Sequence, residues 1–190
     1  MKPVQILAVL LPFAAGCFSA GPRPQAPVNW TIETRAVPVV AAVEPKWGVT
    51  RLAQVAVRAP YDGAHLAVLR ADGSIAFDPA NAFASVPSAL VRGAAQDAAE
   101  SSGLFARVVG PTSSASAKTL LEVTVNRLAL DCRVAGARLA TVELTVTLVD
   151  ARTVVAVASG DGTAPTGTGD YSAAFSSAFT AAMTAALKRL

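Results

Sequence analysis

One histidine and two cysteines in 190 residues leave little room for the commoner catalytic and metal-binding sets. His65 is the sole imidazole, so a site built from several histidines is excluded, and any Ser-His-Asp arrangement has one possible centre. Cysteine occurs only at Cys17 and Cys132, which excludes the disulfide framework that staples small secreted domains. Charge is equally sparse. Charged residues make up 15% of the chain, the formal net charge is +3, and no basic run is present to track a phosphate backbone, so no nucleic-acid partner is expected. Gly160-Asp161-Gly162 and Gly167-Thr168-Gly169 lack the Lys-Ser/Thr that completes a phosphate loop, and no cofactor is expected. After the N-terminus no apolar run approaches the 18 or so residues of a membrane-spanning helix. No repeat at a fixed period is found.

The residues that are present start with a leader. Met1 to Phe13 carries one charge, Lys2, followed by mostly apolar residues, and ends in Ala14-Ala15-Gly16-Cys17. This is the layout of a secretory signal peptide with small residues before the cut. Val4 to Phe13 is too short to cross about 30 Å of hydrocarbon at 1.5 Å per residue. A cysteine directly after Ala-Gly also resembles the lipobox of bacterial lipoproteins, in which that thiol is acylated and becomes the mature N-terminus, although Ala14 stands where such motifs usually carry Leu. Residues 1–16 are therefore expected to be removed and Cys17 to be lipidated. Residues 17–29 hold three prolines after the cysteine and no periodicity, as a semi-extended tether would, reaching roughly 30 Å at about 3.1 Å per residue. Residues 30–190 fit one domain.

Within that domain a strand is expected from Trp30, limited by Pro38 and Pro45, and a clearer one over Arg51 to Arg58. Leu66–Leu69 and Ser74–Phe77 flank Asp72-Gly73, a strong hairpin signal. Ser85 is expected to cap a helix with Pro87 in its first turn and Gly103 after its last. A short strand follows over Leu104 to Val109. Leu121, Val123 and Val125, and then Val142, Leu144, Val146 and Leu148, alternate with polar residues, which marks two strands with one buried and one wet face, joined by a turn at Val134 to Arg138. Val154 to Ala158 is a further strand segment, and Thr163 to Gly169 reads as loop. Asp170 caps a C-terminal helix whose apolar positions recur every three to four residues. This order of elements predicts an α+β fold: a single, mainly antiparallel sheet of five or six strands with two helices packed on one face.

Chemistry-bearing clusters are few. Tyr61, Asp62, His65, Asp72 and Asp78 fall close together, but Asp62-Gly63 and Asp72-Gly73 are turn residues, so neither a catalytic nor a metal site is assigned. The polar strand face, with Glu122, Asn126 and Glu143, is either solvated or a binding surface. Phe77, Phe83, Phe105, Phe175 and Phe179 are expected in the helix–sheet core, with a small acyl-binding groove as the alternative.

Several ordered features together resemble a known family. They are the lipobox-like Cys17, the proline-rich tether, a strand at Trp30, Val-Ala-Val-Arg-Ala-Pro-Tyr-Asp-Gly at 55–63 and Leu-Ala-Val-Leu-Arg-Ala-Asp-Gly-Ser-Ile at 66–75. Ser-Gly-Leu-Phe-Ala-Arg-Val-Val at 102–109 and Tyr171 at the head of a Phe/Ala-rich helix complete the set. The chain from about residue 30 to its end resembles the ABC-type transport auxiliary lipoproteins, a group that includes paraquat-inducible lipoprotein C. That resemblance implies a non-enzymatic lipoprotein on the periplasmic side of the outer membrane. It would dock the mammalian-cell-entry (MCE) protein of a lipid transporter that also has a permease and an ATPase, and would contact copies of itself. Phe18-Ser19 after the cysteine fits outer-membrane sorting. Pro60, Tyr61, Asp62, Arg70 and Asp72, on turns of a rigid sheet, are the candidate docking residues. The alternatives are an envelope-assembly lipoprotein that binds lipopolysaccharide or a β-barrel, and an exported hydrolase that uses His65.

Overall fold

The computed structural model describes residues 26–33, 44–167 and 170–190. Among them, eight strands and two helices follow the order β1 (Val28–Trp30), β2 (Trp47–Val57), β3 (His65–Leu69), β4 (Ile75–Phe83), α1 (Pro87–Ser101), β5 (Phe105–Val109), β6 (Thr119–Asp131), β7 (Leu139–Asp150), β8 (Thr153–Pro165) and α2 (Tyr171–Leu187). The α+β class and the two helices match the sequence reading. The sheet does not: it has eight strands and is mixed. β1·β4, β2·β5, β2·β6 and β3·β6 run parallel, and β3·β4, β6·β7 and β7·β8 run antiparallel.

The cause lies in β6. Its 13 residues are long enough to take two successive partners along one edge, β2 against Thr119–Val125 and β3 against Leu130 and Asp131, while β7 covers the whole of its other edge. Because β2 and β3 both lie parallel to β6, the 58–64 connection leaves the sheet and re-enters it on the same line. β5 is the short strand expected over Leu104 to Val109, whereas β1 ends at Trp30, where the first strand was expected to start. β8 extends through Gly160 and Gly162 to Pro165, well into the stretch that reads as loop.

The period of two holds along β7 and along β6 to Val125, where a bulge before Arg127 shifts the buried positions by one residue, to Leu128. Leu121, Val123, Val125, Leu128, Val142, Leu144, Val146 and Leu148 are all completely buried against the helices. α2 lies over β8 and β7, α1 over β2 and β5, and the helices touch each other, so both cover the same sheet face and share one core. The approach of α2 to β8 is close enough that Gly160 and Gly162 meet its backbone directly, and Ala174, Ala178, Ala182 and Ala186 form its buried small-residue stripe. Phe175 and Phe179 fill the remaining space. Truncation of a fully buried Phe to Ala costs about 3–5 kcal/mol, so these two rings hold much of the core.

The helix ends follow their chemistry with one exception. Asp170 Oδ1 accepts from the Ala173 N–H at 3.0 Å, as expected of an N-cap. Gly103, with φ of 74°, turns the chain out of α1. Ser85 does not cap α1: Val86 occupies the N-cap, with no side-chain bond, and Pro87 takes the first helical position. The first turn relies on Pro87, whose missing N–H needs no partner there.

No helix among the described residues is long and apolar enough to cross a membrane. The expected leader and Cys17, with its expected lipidation, lie outside the described residues.

Candidate protein-docking face

Because α1 and α2 occupy one face of the sheet, the other face carries no helix among the described residues. Cross-strand registers define it. Ile75 and Phe77 of β4 stand opposite Leu69 and Ala67 of β3. Leu69 is followed across β6 and β7 by Asp131 and Leu139, and Arg127, Glu143 and Asp161 form a ladder over β6, β7 and β8.

Tyr61 is the link between the sequence motif and this face. The turn that carries it is closed by the Tyr61 N–H donating to the Arg58 carbonyl at 2.9 Å, and it contains a cis Ala59–Pro60 peptide bond. The half-buried Tyr61 ring packs on Ala67, Leu69 and Ala129, a small apolar cluster separate from the main core. Beside it Phe77 is 50% exposed. Sequence periodicity assigned Phe77 to the core; the register places it outside, since Leu66 and Phe83 take the inward positions of this hairpin. The strand pattern around Asp78-Pro79 is too irregular to have revealed this.

Charged pairs border the aromatic patch. Arg127 Nη1 donates to Glu143 Oε1, and Arg133 holds Asp131 through its Nε and Nη2, the latter at 2.6 Å. The Arg133 hydrogen bond lowers the Asp131 pKa against the opposing effect of burial. The same bond, then the charge of Asp131, raises that of Arg133, with smaller contributions from Glu143 and Tyr61. The result is an apolar centre next to charges held in fixed positions.

The five candidate residues do not form one patch. Pro60, Tyr61 and Asp62 precede β3, whereas Arg70 and Asp72 follow it, about 17 Å further along at strand rise. Pro60, Asp62 and Arg70 are exposed. The carboxylate of Asp72 serves its own turn: Oδ1 accepts from Ser74 Oγ at 2.6 Å and from the Ser74 N–H at 2.9 Å, which lowers its pKa. His65 is exposed at the start of β3, opposite Ala82, and Asp78 is engaged with Asn81 Nδ2 and the Ala80 N–H. No group of three His, Cys, Asp or Glu residues suited to a metal occurs among the described residues. A groove of about 510 Å3 beside α2 is lined by Thr31, Glu33, Ser172 and Ser176 among others, and the two serine hydroxyls accept the Thr31 and Glu33 N–H groups.

The chain enters this architecture through β1. Trp30 Nε1 donates to Asn81 Oδ1 at 2.8 Å, and its ring meets that of Tyr171 edge-on at 5.1 Å between centroids.

The fold is thus a two-layer α+β domain with one open sheet face, and its likeness to known proteins lies in that fold. No protein-family model matches the chain, and no curated protein matches it in sequence. Among solved structures, protein XCC0632 from Xanthomonas campestris, described as DUF330, shares 22% identity over 84% of this chain and 87% of its own, with a TM-score of 0.56. An uncharacterized protein shares 14% identity over 74% and 84%, with a TM-score of 0.51. PelC from Paraburkholderia phytofirmans, solved as a dodecamer, shares 17% identity over 80% and 92%, with a TM-score of 0.44.

Proposed function

We propose that this protein is a non-enzymatic auxiliary lipoprotein of an ABC/MCE-type lipid transport system. Acylated Cys17 anchors it to the periplasmic side of the outer membrane, and its open sheet face docks the MCE component. The observation that carries the docking part is the Tyr61–Phe77 patch. An exposed aromatic and a half-buried one sit on a rigid sheet, bordered by the Arg127–Glu143 and Asp131–Arg133 pairs. Protein interfaces favour this arrangement, with Tyr and Phe at an apolar centre and charges at the rim. The leader ending at Cys17, the proline-rich tether and the motifs at 55–63 and 66–75 support the lipoprotein part. Trp30 gives the tether a firm purchase, since a pull on the lipidated end would be resisted by its hydrogen bond to Asn81 and its ring contact with Tyr171.

The test is co-purification. The full-length protein and its Tyr61→Ala/Phe77→Ser variant, extracted from envelopes in mild detergent, are compared for recovery of an MCE protein. The variant is expected to lose the partner while keeping its circular dichroism spectrum. Retention of the partner by a folded variant would place the docking surface elsewhere.

A further inference from the structure

The turn from β6 to β7 carries Arg133-Val134-Ala135-Gly136-Ala137-Arg138, and no residue between the two arginines has a polar side chain. Solvated turns favour Asn, Asp and Ser beside Gly, as the β3–β4 turn does with Asp72, Gly73 and Ser74. Here Val134 is 68% exposed, the most of any large apolar side chain among the described residues, and Ala135 is exposed next to it. The tip is held out by its own bonds. The Ala137 N–H donates to the Val134 carbonyl at 3.1 Å, the Thr166 N–H and hydroxyl to the Arg138 carbonyl at 3.0 and 3.1 Å, and the Arg133 N–H to Asp131 Oδ1 at 3.0 Å. Of the flanking cations, Arg133 binds Asp131, whereas the Arg138 guanidinium has no hydrogen bond or ion pair among the described residues.

The tip lies at the end of the sheet from which the chain enters it. β1 is parallel to β4, and β4 starts with Ile75 opposite Leu69, which stands beside Asp131 at the end of β6, so the N-terminal side of β1 faces the β6–β7 turn. Val28 is level with Asn81, six residues up β4 from Ile75, or about 20 Å at strand rise. Val134 and Ala135, three and four residues beyond Asp131, add about 10 Å, which puts the tip about 30 Å from Val28 along the sheet axis. The stretch from Cys17 to Val28 reaches about 34 Å at 3.1 Å per residue. A domain held by Cys17 thus has its β6–β7 tip within reach of the surface that holds Cys17.

We propose that the β6–β7 turn rests on the phospholipid bilayer that carries the Cys17 anchor, with Val134 and Ala135 among the headgroups and upper acyl chains and Arg138 at the level of the phosphates. Apolar side chains flanked by cations are what an interfacial contact needs, and a guanidinium matches phosphate geometry. The carboxylates at this end are engaged: Asp131 with Arg133, and Asp72 with Ser74 in its own turn. The contact adds a second attachment to the acyl anchor and fixes which end of the domain faces the bilayer, while the open sheet face stays free at the side. This inference rests on the lipoprotein part of the reading above, and not on the transport part.

The experiment is lipid quenching of a fluorophore in the full-length protein, reconstituted into vesicles of phosphatidylethanolamine and phosphatidylglycerol with brominated acyl chains. An environment-sensitive label is placed on Ala135→Cys, or on Arg152→Cys in the β7–β8 turn, each in a Cys132→Ser background. The two turns lie at opposite ends of β7, about 40 Å apart. The label at 135 is expected to shift to the blue and to be quenched severalfold more than the label at 152. Adding Val134→Asp and Arg138→Glu is expected to bring quenching at 135 down to the level at 152, while the protein stays on the vesicles through Cys17 and keeps its circular dichroism spectrum. Acylated, vesicle-bound protein whose label at 135 is quenched no more than that at 152, whether solvated or covered by another protein chain, would overturn the proposal and leave the lipoprotein reading standing. Quenching at 135 that survives the two substitutions would also overturn it. Protein with an unmodified Cys17 that does not stay on the vesicles would overturn both.

Discussion

A Cβ placed on Gly160 would lie 1.9 Å from the carbonyl oxygen of Ala182, and one on Gly162 2.0 Å from that of Ala178. Two glycines two residues apart in β8 thus meet two alanines one helical turn apart in α2, backbone against backbone. The missing Cβ atoms let the two layers approach closely, and the two contacts stay in step because a strand rises about 6.6 Å over two residues and a helix about 6 Å over four.

Gly160→Ala and Gly162→Ala are therefore expected to destabilise the domain by about 4 kcal/mol or more, since the clash is with main chain that cannot swing aside. Gly48→Ala is the control. That glycine is also in a strand, but an added Cβ meets nothing within 4 Å, and the change is expected to be neutral or stabilising by up to about 1 kcal/mol. Urea denaturation of the three variants measures the difference.

The β7–β8 turn stores strain that can be relieved. Ala151 and Arg152 both have positive φ, 45° and 71°, at the two positions where Asn-Gly is the favoured pair. Ala151→Asn/Arg152→Gly is expected to stabilise the domain by about 1–2 kcal/mol, read as a rise in the denaturation midpoint.

Acid stability depends on Asp131. Its folded-state pKa lies below the usual carboxylate value because Arg133 binds the charged form, so the stabilisation is fully present above about pH 4 and is lost as pH falls through the folded value. Asp131→Asn is expected to lower stability at neutral pH and to flatten the acid limb of the stability–pH curve below about pH 4. An acid limb unchanged by the substitution would show that other carboxylates set it.

Trp30 and Tyr171 are expected to be energetically coupled. A double-mutant cycle with Trp30→Leu and Tyr171→Leu should give about 0.5–1.5 kcal/mol for an edge-on aromatic pair. A value near zero would remove the proposed mechanical attachment of the tether.

The parts of this fold that could be read in the sequence are those governed by local rules. Leu121 to Val125 and Val142 to Leu148 alternate because one face is buried, Asp170 caps because its carboxylate reaches the Ala173 N–H, and Asp72-Gly73 makes the hairpin. The parts that could not be read are set by distant partners. Nothing near β6 reveals that β2 and β3 share one of its edges, and Gly160-Asp161-Gly162 has the composition of a loop until α2 lies against it. The candidate site divides in the same way. Tyr61 was legible from its turn motif, but the exposed position of Phe77 depends on its register with Ala67, and the local self-bonding of Asp72 on the placement of Ser74.

The measurement that bears most directly on the transport reading is affinity purification of the tagged full-length protein from envelope fractions in mild detergent. Mass spectrometry would then identify co-purifying proteins and lipids and the Cys17 acyl group. The account predicts diacylated Cys17 together with an MCE protein, a permease and an ATPase. An unmodified Cys17, or acylated protein recovered only with a β-barrel or lipopolysaccharide, would contradict it.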